Sequence, residues 1–66
     1  MEQGVVTLYS EDKGFGFICQ DDGKEVLVER SSLDWPGYRT LNPGERVSFD
    51  VRETPMGLRA ENVKRV

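Results

Sequence analysis

The stretch Lys13-Gly14-Phe15-Gly16-Phe17-Ile18 carries the clearest chemical signal in this chain. Strand side chains alternate between faces, so Phe15 and Phe17 point the same way, and Gly14 and Gly16 leave the backbone and the opposite face uncluttered. Two rings on one sheet face, with Lys13 at the rim, suit stacked bases and a phosphate. Stacking a base on an aromatic ring contributes about 1–3 kcal/mol and tolerates any base sequence. A lone FGF triplet is more often core of an ordinary sheet, so the rest of the chain must decide between the two readings.

Other residues offer little reaction chemistry. The chain has no histidine, which removes the usual general base, triad member and metal ligand. Cys19 is the single cysteine; it can form no internal disulfide or all-cysteine zinc site and has no histidine to activate it. Its expected state is an inert thiol, with oxidative dimerisation as the minority reading. Asp21 and Asp22 resemble a carboxylate pair, but Asp-Asp-Gly between two strand-like runs is a turn signal. No phosphate-binding loop or dinucleotide fingerprint is present. The expectation is a binding or interaction module with no catalytic residue, metal, cofactor or small-molecule substrate.

Five short strands must position the two rings. Val5 to Tyr9 is β-branched and aromatic, and Ser10 to Lys13 reads as a turn. Phe15 to Gln20 and Glu25 to Arg30 are the next strands, joined through Asp21-Asp22-Gly23-Lys24. Ser31 to Gly44 holds the breakers Pro36-Gly37 and Asn42-Pro43-Gly44 and reads as a long connection with one helical turn near Ser32-Leu33. Arg46 to Arg52 alternates, placing Val47, Phe49 and Val51 on one face. After a turn at Thr54 to Gly57, Leu58 to Val66 is the last strand. Residues 1–66 form one domain, 36% hydrophobic and 32% charged, a globular rather than disordered balance. Strands this closely spaced suggest a closed barrel, because closure removes exposed sheet edges. No apolar run approaches the roughly 20 residues of a membrane span, and Met1 to Gly4 lacks a signal-peptide pattern. The expected compartment is the cytoplasm.

With these residues in view, the whole chain resembles a cold-shock domain. Lys13 to Ile18 matches that family's first ribonucleoprotein motif letter for letter, and Val26-Leu27-Val28-Glu29-Arg30 stands where the second motif, typically VFVHF, falls. Gly4, Asp12, Asp22-Gly23, Ser31, Gly37-Tyr38, Leu41, Gly44, Val47-Ser48-Phe49, Gly57 and Asn62-Val63 are also in register. The resemblance implies an all-β, five-stranded antiparallel Greek-key barrel of the oligonucleotide/oligosaccharide-binding type. It also implies binding of single-stranded RNA or DNA with little sequence preference, commonly as an RNA chaperone or antiterminator during cold or stress.

The chain departs from that pattern at the binding face. Leu8 replaces a tryptophan, Thr7 a lysine and Leu27 a phenylalanine, and Glu29 and Arg30 replace a histidine and a phenylalanine. Met56 takes a position that is otherwise basic or glycine-flanked. Phe15 and Phe17 remain, Tyr9 and Tyr38 are aromatic replacements, and Leu8 and Leu27 offer apolar contact without a ring. Lys13, Arg30 and Arg59 are expected to edge this surface, with Arg39 beside Tyr38 in the long loop. Arg30 can stack its guanidinium plane on a base or pair with phosphate, whereas Glu29 repels phosphate. Nine basic and twelve acidic residues give a net charge of −3, so affinity must rest on where the cations cluster. Trp35 has three open readings: a substitute stacking ring, a cap on the barrel end, or a protein contact. The candidate nucleic-acid residues are therefore Lys13, Phe15, Phe17, Tyr38, Arg30, Leu8, Leu27, Tyr9, Arg59 and Trp35. The expected assembly is a monomer, with a strand-exchanged dimer or a barrel kept for protein interaction as the alternatives.

Overall fold

Buried apolar residues from all five strands define the inner face of the sheet. Val6 on β1 (Glu2–Ser10), Ile18 on β2 (Phe15–Gln20), Val26 and Val28 on β3 (Glu25–Glu29), Val47 and Phe49 on β4 (Arg46–Thr54), and Ala60 and Val63 on β5 (Gly57–Arg65) are all buried. Leu33 and Leu41, at the two ends of the long connection, complete this core. The computed structural model describes residues 1–66. Its strands close into a barrel in the order β1-β2-β3-β5-β4, the five-stranded barrel of the oligonucleotide/oligosaccharide-binding type. No helix is long and apolar enough to cross a membrane.

Four of the five seams are antiparallel, as expected, but the seam between β3 and β5 is parallel and short, pairing Leu27 with Arg59. The connection from β3 must cross the barrel end before β4 begins, so β5 returns beside β3 in the same direction. The helical turn sits one to two residues earlier than expected, as a 3-10 turn over Arg30–Ser32. β1 begins at Glu2 rather than Val5 because Glu2 to Val5 pair with β4. Beyond Phe49, β4 has no partner on the β1 side. Val51 therefore stays 36% exposed although its partner Ala60 is buried, and it does not share the burial of Val47 and Phe49, with which the alternation groups it on one face.

Asp21 and Asp22 form a turn. Asp22 Oδ1 accepts from the Lys24 amide at 3.0 Å, and Asp21 pairs with Arg46 at 2.9 Å.

Candidate nucleic-acid interface

A bulge in β1 decides which of its side chains reach the outer face. Val6 pairs with Ile18, but Leu8 pairs with Phe17, so Thr7 is an extra residue on β1. A bulge of this kind shifts the alternation by one residue. Val6 points inward, Leu8 points outward, and Tyr9 turns inward opposite the buried Gly16. Gly16 permits this crossing: a Cβ there would lie 2.1 Å from the Leu8 carbonyl oxygen and 2.6 Å from the Tyr9 Cα. The glycine between the two phenylalanines thus lets β1 approach β2 closely.

The outer face is a short grid. Leu8, Phe17, Leu27 and Arg59 are successive cross-strand partners over β1, β2, β3 and β5, and Ser10, Phe15 and Glu29 form the next row. Phe15 and Phe17 meet edge to face, with ring centroids 6.4 Å apart and planes at 88°, a geometry favoured by the ring quadrupole. Neither ring belongs to the core, and Phe15 is 36% exposed. Leu8 is exposed beside them, and Leu27 is half-buried.

Cations and a loop frame one end of this grid. Gly14, at φ +76°, turns the chain from β1 into β2 with its amide on the Ser10 carbonyl at 2.7 Å. Lys13 is exposed in that turn, and Arg30 donates its amide to the Gly14 carbonyl at 2.9 Å and its guanidinium to the Glu11 carbonyl. The Glu11 carboxylate accepts from Tyr38 Oη at 2.7 Å and from Thr40 Oγ1 at 2.7 Å. Thr40 first and Tyr38 second hold this carboxyl below the usual carboxylate range, and Arg30 adds to the effect against slight burial. The same bond pushes the Tyr38 phenol up. Nothing in local spacing points to Glu11, since its partners lie 27 and 29 residues away.

Five of the nine cationic side chains are ion-paired: Arg46, Arg52, Arg59, Lys64 and Arg65. The unpaired four are Lys13, Lys24, Arg30 and Arg39, and all but Lys24 lie by the β1–β2 turn or in the loop with Tyr38. Glu29 stands opposite Phe15 and binds Arg59 rather than standing free.

The structure brings Phe15, Phe17, Leu8, Leu27 and Arg59 onto one face, with Lys13, Arg30 and Tyr38 at its end. It does not bring Tyr9 there, because the bulge directs that ring onto the core, with its hydroxyl buried and unpartnered. Trp35 also packs against the core. Its Nε1 donates to the Tyr38 carbonyl at 3.2 Å, and the Arg65 guanidinium covers one ring face at 4.6 Å from the centroid. Cys19 is exposed on the outward side of β2, two residues beyond Phe17.

The match to known proteins spans the same elements. The family model described as the 'Cold-shock' DNA-binding domain matches residues 2–66. The chain is 42% identical to cold shock protein CspC of Bacillus subtilis over 65 residues, covering 98% of each. It is 43% identical to cold shock-like protein CspA of Stigmatella aurantiaca over 67 positions, covering all of this chain and 98% of that one. Among solved structures, Drosophila Unr CSD456 shares the fold, with a TM-score of 0.78 at 23% identity over 98% of this chain and 26% of that one. A barrel with this topology, matched from β1 to β5 by relatives at this identity, belongs to the cold-shock domain family.

Proposed function

We propose that this domain binds single-stranded RNA or DNA, with low sequence specificity, on the outward face of β1, β2 and β3, as an RNA chaperone or modulator of transcription and translation. The observation that carries this reading is the Phe15–Phe17 pair, held edge to face outside the core and flanked by Leu8 and Leu27. Bases stack on such rings whatever their sequence. Lys13, Arg30 and Arg39, unpaired near one end of the rings, meet the phosphates. The module has a binding role and not an enzymatic one, in line with its family.

Titration with a labelled oligothymidine at low salt, followed by amide shifts, tests the assignment. The expected result is micromolar or weaker binding with shifts centred on Phe15 and Phe17, lost in Phe17→Ala while the barrel stays folded. Unchanged spectra at large ligand excess would overturn it. A barrel kept for dimerisation instead gives a light-scattering mass above that of one chain, indifferent to oligonucleotide.

A further inference from the structure

The outward grid contains one ion pair. Leu27 is the cross-strand partner of both Phe17 and Arg59, and Glu29 is the partner of Phe15. Arg59 Nη2 donates to Glu29 Oε1 across the β3–β5 seam. The other four ion pairs include no residue that is a cross-strand partner of either ring.

A carboxylate on a guanidinium occupies the donor fork that would otherwise take a phosphate. Arg59 and Glu29 are 36% and 38% exposed, so their attraction is screened and contributes little to stability. An outside anion can therefore replace the carboxylate without opening the barrel. Arg59 Nε is buried with no partner, so this guanidinium is not fully satisfied by Glu29.

We propose that Glu29 attenuates nucleic-acid binding by neutralising Arg59 beside the stacking rings, and that Arg59 is a latent phosphate-contacting residue. Removing or displacing the carboxylate adds one phosphate contact to those of Lys13, Arg30 and Arg39. The proposal rests on the reading of the Phe15–Phe17 face as the nucleic-acid surface. It differs from plain repulsion by Glu29, because the gain on removing the carboxylate must pass through Arg59.

A mutant cycle separates these cases. Wild type, Glu29→Gln, Arg59→Gln and the double variant are titrated with oligothymidine over a salt series, and each fold is checked by circular dichroism and thermal melting. Glu29→Gln is expected to tighten binding roughly three- to tenfold at low salt and to steepen the log–log salt slope by about 0.7, the value for one further phosphate on a single strand. Adding Arg59→Gln is expected to erase both gains. The proposal is overturned if Glu29→Gln leaves affinity and slope unchanged or weakens binding. It is also overturned if the gain persists in the Arg59→Gln background, since the carboxylate then acts by direct repulsion. If folded wild type binds no oligonucleotide at low salt, the nucleic-acid reading itself fails, and the proposal with it. Binding lost on Phe17→Ala but unaffected by Glu29→Gln overturns the proposal alone.

Discussion

Phe15 and Phe17 are fixed by their own strand, but Tyr38 is fixed by a tether. Tyr38 is 74% exposed and lies outside the core cluster; its hydroxyl donates to Glu11, which also accepts from Thr40. Holding a loop in its bound conformation raises affinity by lowering the ordering cost of binding. Tyr38→Phe keeps the ring and deletes the donor. It is expected to weaken oligothymidine binding by about threefold and to speed amide exchange over residues 37–40, whereas a ring acting by stacking alone would bind unchanged. The carboxyl of Glu11 is lowered and the phenol of Tyr38 raised. The contact is thus present at neutral pH, lost as pH falls through the lowered Glu11 value, and lost again as pH rises through the raised Tyr38 value. Loop amide shifts followed over pH check this, and Glu11→Gln should remove the acid limb.

β1 and β2 form the element on which the face depends. Strict alternation through Val6, Thr7, Leu8 and Tyr9 would place Leu8 inside with Val6 and Tyr9 outside. The extra residue at Thr7 reverses this, bringing Leu8 beside Phe17 and sending Tyr9 onto the core. Gly16 makes the crossing possible, since a Cβ would collide with rigid backbone rather than with a flexible side chain. Gly16→Ala is expected to destabilise the barrel by about 1–3 kcal/mol or more through forced strand separation, read as a lower midpoint in urea. An unchanged midpoint would mean that β1 moves freely over β2. The strands themselves were legible from Phe15 to Gln20 and from Glu25 onward, because their apolar residues alternate and turn residues bound them. The bulge was not, because nothing in Val-Thr-Leu-Tyr marks which residue goes unpaired.

For the whole molecule, charge arrangement matters more than total charge. In a chain of net charge −3 the cations most open to phosphate are those without a carboxylate partner, and Lys13, Arg30 and Arg39 are the ones by the β1–β2 turn and the Tyr38 loop. With one phosphate for each, the wild-type salt slope on a single strand is expected to be about −2; a slope near zero would place binding on stacking alone. The sequence by itself determined the class of fold and the stretch to examine. Alternating valines specify strands, Asp-Asp-Gly and Pro-Met-Gly specify turns, and Lys13 to Ile18 carries the two rings and a cation. These are local properties, set by neighbours one to four residues apart. Tertiary structure alone decided that Tyr9 turns inward, that Trp35 lies under Arg65, that Glu11 anchors Tyr38 and that Glu29 holds Arg59. The Tyr38 and Arg59 contacts join residues 27 and 30 positions apart, and barrel closure together with one unpaired residue in β1 sets which side chains meet.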